Sequence, residues 1–304
     1  MDKEIVPMEK RRGGAGENNL LIATAADGSS VRAEVEGEGR AILILHPGMD
    51  TGKSYAQVAA RLRSRYRVIR LHRRQYRLDL KTDPSRGSPC TVSDEVEHVL
   101  AIVKLVGRPI LLFGHSSGGP VALEALVASQ SSFAGGMIYE PASVIQSGSG
   151  LHLAGDRIEH NGEVGEGLRR ARQALASDRP GRAIGIFTQI AAGWPSIFAN
   201  AGGALTALVP AYRRLIPCQI DDLEAMERLG VRLDAYSQLN LPVAMVCGER
   251  SPDSNKEMAA AVADALPRVE RITLRRQGHA CHIQDPDQLA GVIERFADRV
   301  FDHT

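Results

Sequence analysis

The chain has 304 residues, 43% of them hydrophobic and 24% charged, with a formal net charge of +1. That length accommodates one sizeable α/β domain, with or without an insertion, or two smaller ones, and the near-zero charge gives no global signal for nucleic acid or a membrane surface as a partner. The scattered Cys90, Cys218, Cys247 and Cys281 form no C-x-x-C pair and read as free thiols of a reducing compartment. No apolar stretch approaches the ~20 residues that span a bilayer, and the polar N-terminus has no signal-peptide core, so a cytoplasmic location is expected.

Residues 1–18 read as a flexible polar arm. A strand over Leu20–Ala25, a turn at Asp27-Gly28 and an alternating strand over Val31–Val35 follow, then a fully apolar strand over Ala41–Leu45 suited to the centre of a sheet. "KSYAQVAARLRSR" has helical spacing and "YRVIRL" reads as a strand. The basic crowding from Arg61 to Lys81 is read as a solvated helix face followed by strand and loop, with attraction for an anionic part of a substrate as the alternative. Thr91 and Asp94 make a capping-box pattern ahead of an amphipathic helix that Gly107 stops, and Pro109–Phe113 is a buried strand.

After "GHSSGG" comes a helix in which Pro120 falls in the first turn, where backbone donors have no helical partner anyway. "FAGGMIYE" is a strand ending at Glu140, "LPVAMVCGE" another ending at Gly248-Glu249, and "VERITL" the last. "NKEMAAAVADAL" and the segment after Pro286 are helices. Strands alternating with helices imply an α/β protein with a mainly parallel central sheet and helices on both faces. The interval 142–239 breaks that rhythm with helical patterns and no convincing apolar strand. The expected organisation is therefore a core of 19–141 and 240–304 with a helical lid at 142–239, entered through a mobile loop at "SVIQSGSGLHLAGD". Phe187, Trp194 and Phe198 suggest an apolar pocket in the lid, or equally the lid's own helix core.

The pattern G-x-S-x-G occurs once, from Gly114 to Gly118, and centres on Ser116. It lies between a buried strand and a helix, the setting that gives the motif meaning: glycines permit a sharp turn that thrusts the serine beyond the sheet, and the helix start aims free N–H groups at the same point. Ser116 is the candidate nucleophile, and Ser117 is expected to contribute its backbone N–H to an oxyanion hole rather than its hydroxyl. A serine needs a base. His279, in "RQGHACH" after the last strand, is the candidate, with His282 second. The loop "HPGMD" offers the other oxyanion donor; proline has no N–H, so Gly48 or Met49 must donate, while His46 braces the loop. His279, Cys281 and His282 lack a partner carboxylate, and neither a metal nor an organic cofactor is implied.

These segments resemble the α/β-hydrolase superfamily in its serine-hydrolase branch with a helical lid, from about Leu20 to Phe301. The resemblance rests on "DGSSVRAEVEGEGRAILILHPG", "GHSSGG", "MIYEP", "VAMVCGERSPD" and "RQGH". It implies a Ser-His-carboxylate triad that cleaves an ester, thioester or lactone of a small-molecule acyl substrate through an acyl-enzyme. Carbon–carbon bond hydrolysis, acyl transfer and a non-hydrolytic ligand-binding or receptor-type role on the same fold remain open. A serine at the elbow argues against the epoxide-hydrolase and dehalogenase branches; a homodimer is left open. Three departures from the family pattern stand out: Pro47 follows His46 where glycine is usual, the loop after "YRVIRL" lacks glycines, and Ser251 stands where relatives often carry the catalytic aspartate. The acid therefore has three candidates. Glu140 is favoured, because Pro141 biases it to an extended strand end beside the elbow; Asp253 is the alternative and Glu249 the third.

Overall fold

The computed structural model describes residues 19–80, 90–107, 109–146, 165–192 and 195–302; the expected N-terminal arm, most of the "SVIQSGSGLHLAGD" loop and Trp194 lie outside these. The strands are β1 (Asn19–Thr24), β2 (Ser30–Glu36), β3 (Ala41–Leu45), β4 (Arg67–Leu71), β5 (Ile110–His115), β6 (Phe133–Tyr139), β7 (Val243–Gly248) and β8 (Val269–Leu274). They form one sheet in the order β1-β2-β4-β3-β5-β6-β7-β8. β2 is antiparallel to both its neighbours, β1 and β4, and every pair from β4 to β8 is parallel. β3, β5 and β6 are buried along their whole length, as their unbroken apolar runs require of strands covered on both faces.

The helices are α1 (Ala56–Leu62), α2 (Val92–Val106), α3 (Gly118–Ala128), α4 (Glu166–Ala176), α5 (Pro180–Ala192), α6 (Ser196–Leu208), α7 (Pro210–Arg213), α8 (Ile216–Leu229), α9 (Leu233–Tyr236), α10 (Asp253–Ala265), α11 (Cys281–Gln284) and α12 (Pro286–Asp302). One core cluster takes apolar residues of α2, α3 and α10; a second, on the other face of the sheet, takes those of α1 and α12. The capping box on α2 is present as expected: Thr91 Oγ1 accepts from the Asp94 N–H, the Asp94 carboxylate accepts from the Thr91 N–H, and left-handed Gly107 ends the helix.

Between β6 and β7 the described residues hold α4 to α9 and no strand of the sheet. α5 and α6 cross closely enough that a methyl on Gly203 would meet the Gly181 carbonyl oxygen at 2.3 Å. α6 carries no charged residue and gave little periodic signal, yet Ile197, Phe198, Leu205 and Leu208 stand exposed on it. Phe198 therefore faces outward rather than lining a pocket, while Phe187 packs partly buried against the main core. α8 is buried from Ile216 to Met226, so the insert is joined to the core through it.

The helix part of the basic crowding is a solvated face, with Arg63 and Arg65 exposed, but the strand and loop that follow are not. Arg70, Arg73 and Arg77 are buried. Arg70 is held by Glu34 at 2.5 Å and Glu36 at 2.8 Å, and Arg77 by Asp79 at 2.7 Å. The outward arginines are engaged too, Arg61 by Asp287 and Arg65 by Glu294 and Asp298. Alternation along β4 drives Arg70 inward, and desolvation of a guanidinium is tolerated only where carboxylates meet it.

Candidate active site

The register of the central strands assembles the candidate residues. His115 pairs with Tyr139 at the ends of β5 and β6, so Ser116 and Glu140 each follow directly on adjacent strands. The Ser116 N–H donates to the Tyr139 carbonyl at 3.0 Å, and the Glu140 N–H to the Val246 carbonyl at 3.0 Å. His279 follows β8, one strand beyond β7, and its ring lies 4.6 Å from that of His115, beside the elbow. All of these sit at the carboxyl edge of a parallel sheet, where strand ends leave a crevice.

The backbone is strained at these points. Five non-glycine residues among those described have positive φ, and three of them are Met49 (56°), Ser116 (53°) and Glu140 (45°). Glu140 is thus left-handed, not extended as Pro141 led us to expect. Its N–H bond to β7 and its carboxylate partners fix the turn against that local preference. The elbow glycines are required sterically: a methyl on Gly118 would meet the Leu45 and His46 carbonyl oxygens at 2.7 and 2.8 Å, and one on Gly114 the Gly118 carbonyl oxygen at 2.5 Å. Backbone cannot swing aside as a side chain can. Gly118→Ala is expected to cost about 2–3 kcal/mol through overpacking, measured as a drop in denaturation midpoint; an unchanged midpoint would contradict the close approach.

The Glu140 carboxylate is buried, at 1% exposure, and meets five donors, of which the Cys247 thiol, 3.5 Å from Oε1, is the weakest. Oε1 accepts from the Gly248 N–H at 2.7 Å and from Ser251 Oγ; Oε2 accepts from Asn255 Nδ2 at 2.9 Å and pairs with His279 Nδ1 at 2.6 Å. Burial alone would raise its pKa, but the His279, Ser251 and Asn255 hydrogen bonds and the imidazole charge outweigh it and bring the carboxyl down to about 2. An ionised carboxylate only accepts, so His279 Nδ1 carries the proton of this hydrogen bond, and the tautomer it selects in the neutral ring is the one with the lone pair on Nε2. Tyr139 pins the loop that carries the ring: its hydroxyl donates to the Gly278 carbonyl and accepts from the Cys281 N–H at 3.4 Å.

The other acid candidates lie elsewhere. The Asp253 side chain is 92% exposed and pairs with Lys256 at 3.4 Å, and exposed Glu249 accepts from the Arg276 N–H at 2.6 Å. Ser251 is drawn into the site in a different capacity, as a hydroxyl donor to Glu140. An aspartate at 251 would set a second carboxylate against the first and raise the pKa of one of them. His282, the second base candidate, is buried and stacked on Tyr55 with ring centroids 4.8 Å apart.

Among the described residues, neither the Met49 nor the Ser117 N–H is paired with an acceptor. Ser117 heads α3, where the first N–H groups have no helical partner. His46 braces its loop, with Nδ1 2.7 Å from the Pro47 carbonyl and Nε2 accepting from the Arg73 N–H at 3.3 Å. The Ser117 hydroxyl is not idle: it is 1% exposed and bonded to Asp222 at 2.5 Å and Arg73 at 2.8 Å. Those contacts, with Glu95 and Tyr76 around them, carried no sequence signal, because no local period links their members: Asp222 lies more than 100 positions from Ser117 and Tyr76, and Arg73 lies 44 from Ser117.

Buried histidines give a pH signature. Desolvation pushes His46, His98 and His282 down to about 4, and His115, walled in by Tyr139 and two other imidazoles, well below its ordinary value. Their unfolded pKa is higher, so the unfolded chain binds protons first as pH falls. Their contribution to stability is present above pH 6.5 and is lost between about 6.5 and 4. Glu140 adds a second, lower window, between its ordinary 4.5 and about 2. We expect Tm to fall between pH 7 and 5, before most carboxylates titrate; a flat Tm by scanning calorimetry over that range would contradict it.

A model of the Alpha/beta hydrolase family matches residues 42–292. An α/β hydrolase from Sphaerobacter thermophilus superposes with a TM-score of 0.69 at 22% identity, covering 91% of this chain and 99% of that one. A thermophilic esterase from Thermogutta terrifontis gives 0.66 at 17%, covering 92% and 98%, and an esterase from Rhodococcus gives 0.66 at 20%, covering 92% and 99%. No curated protein sequence matches. At these identities the superpositions speak to the fold; the family match, running from β3 into α12 and so across the elbow, the insert and the His279 loop, goes further, and by it the chain belongs to the α/β hydrolase family.

Proposed function

We propose that the protein is a serine hydrolase of carboxylic esters or thioesters, acting on a small-molecule acyl substrate through an acyl-enzyme. The observation that carries this reading is the buried Glu140 carboxylate 2.6 Å from His279 Nδ1 beside a left-handed Ser116. Ser116 Oγ attacks the carbonyl carbon while His279 Nε2 takes its proton. Glu140 holds the ring in the tautomer that leaves Nε2 free and stabilises the imidazolium. The N–H of Ser117, with that of Gly48 or Met49, donates to the oxyanion. The imidazolium then protonates the leaving alkoxide or thiolate, and a water deprotonated by His279 releases the acid. The esterases of similar fold support the choice of acyl chemistry.

A fluorophosphonate probe with mass-spectrometric mapping, alongside p-nitrophenyl esters of graded chain length, thioesters and lactones, tests it. Stoichiometric labelling of Ser116 with turnover of one ester class is the expected result. Labelling with transfer to an added alcohol in preference to water would make the protein an acyltransferase. No labelling of folded protein would overturn the hydrolase and leave a ligand-binding role.

A further inference from the structure

The two loops proposed to bind the oxyanion share a single buried anchor. Arg73, in the loop after β4, donates through Nη1 to the His46 carbonyl at 3.2 Å and to Ser117 Oγ at 2.8 Å, so one guanidinium nitrogen touches both. Its Nη2 donates to Asp222 Oδ1 at 2.7 Å and to Glu95 Oε2 at 2.5 Å. Asp222, on α8, accepts through Oδ2 from Ser117 Oγ at 2.5 Å and from the Tyr76 hydroxyl at 2.7 Å. One turn earlier on α8, Gln219 lies over Gly48, where an added methyl would meet its Oε1 at 2.0 Å. The side chains of Arg73, Asp222 and Glu95 are 0%, 1% and 4% exposed.

Such a cluster is a weak source of net stability, because desolvation offsets most of its Coulomb gain. What it supplies is geometry. An oxyanion hole works only when its donors sit 2.7–3.1 Å from the point where charge develops, and here two donors arise from loops far apart in sequence. Asp222 would oppose a nearby oxyanion if it were bare; the Arg73 guanidinium offsets its charge, and burial raises the pKa of Glu95, the guanidinium's other carboxylate partner.

We propose that Arg73 and Asp222 are positioning residues which, through the Ser117 hydroxyl, hold the elbow and the β3 loop at the spacing the oxyanion needs. α8 is then a fixed part of the reaction centre, not a swinging cover. This rests on the hydrolase reading above.

The test uses the full chain and a fluorophosphonate probe, whose reaction needs no knowledge of the natural substrate. Ser116 Oγ bonds to phosphorus, fluoride leaves, and the serine proton passes to His279. Limiting rate and half-saturating concentration are measured for wild type, Ser117→Ala, Asp222→Asn and the double variant, each checked for folding by circular dichroism. We expect Ser117→Ala to lower the limiting rate about tenfold, and Asp222→Asn at least as much, with half-saturation unchanged within about twofold; this is less than the ~10²-fold loss of a whole donor because the N–H remains. The double variant should be no slower than Asp222→Asn alone, since both break one link. Limiting rates within twofold of wild type, with only Tm lowered, would overturn the proposal, as would fully additive losses. Should Asp222→Asn not fold, Ser117→Ala decides by the same criterion. Wild type that takes no label overturns the hydrolase reading itself, an outcome distinct from labelled wild type with unaffected variants.

Discussion

Ser116→Ala is expected to lower ester turnover by about 10⁴–10⁶-fold, because it removes the atom proposed to form the acyl bond and leaves at most the residual acceleration of the proposed oxyanion site. The neighbouring Ser117 makes the contrast informative. Its hydroxyl is as close in sequence as a serine can be, but it is 1% exposed and bonded to Asp222 and Arg73. It has no path to a substrate carbonyl. Ser117→Ala should therefore cost on the order of tenfold, through donor alignment and not through lost nucleophile. Turnover of the best ester from the panel, with probe incorporation as an independent count of active sites, checks both. Comparable losses in two folded variants would mean that the wrong serine has been assigned.

Glu140→Gln should cost up to ~10⁴-fold in kcat, the scale at which a triad carboxylate acts when its volume is kept and its charge removed. The glutamine amide can turn an N–H toward His279 Nδ1, which selects the tautomer with its proton on Nε2 and removes the lone pair the mechanism needs. It also leaves the imidazolium without its counter-charge. Asp253→Asn, on an exposed side chain paired with Lys256, should leave kcat within about twofold. A reversal of the two results would return the acid to the loop after β7. The same Glu140→Gln variant should flatten the stability profile between pH 4.5 and 2, since the carboxyl held down at about 2 contributes stability that is present above 4.5 and lost as pH falls through that window.

Ser251 ties these results to the departure seen in the sequence. Its hydroxyl donates to the Glu140 carboxylate, so the position at which the family resemblance led us to expect an aspartate here supports the proposed acid at the end of the neighbouring strand. Asn255, on the first turns of α10, adds an N–H to the other oxygen at 2.9 Å.

The alternation of apolar runs with helical periods was enough to place every strand of the sheet and the core helices within a few residues, because a strand buried on both faces must be apolar throughout and a helix buried on one side must repeat near 3.6. The elbow was equally legible: Gly114, Ser116 and Gly118 are dictated by a local turn in which backbone passes backbone. α6 escaped because alanine and glycine packed against α5 give no amphipathic stripe. The arginines misled, since net charge and crowding say nothing about where Glu34, Glu36, Glu95 and Asp222 will fall when strands and insert close on them. Local preference also misjudged Glu140, whose left-handed backbone is held by bonds to β7 and to His279 that lie more than 100 residues away in sequence. Sequence alone thus determined which residues could do chemistry and at which edge of the sheet they would lie. Only the tertiary structure decided that Glu140, and not Asp253, meets His279, and that Arg73 and Asp222 bind the elbow to α8, because long-range pairing of buried polar groups is set by desolvation and register rather than by any period in the chain.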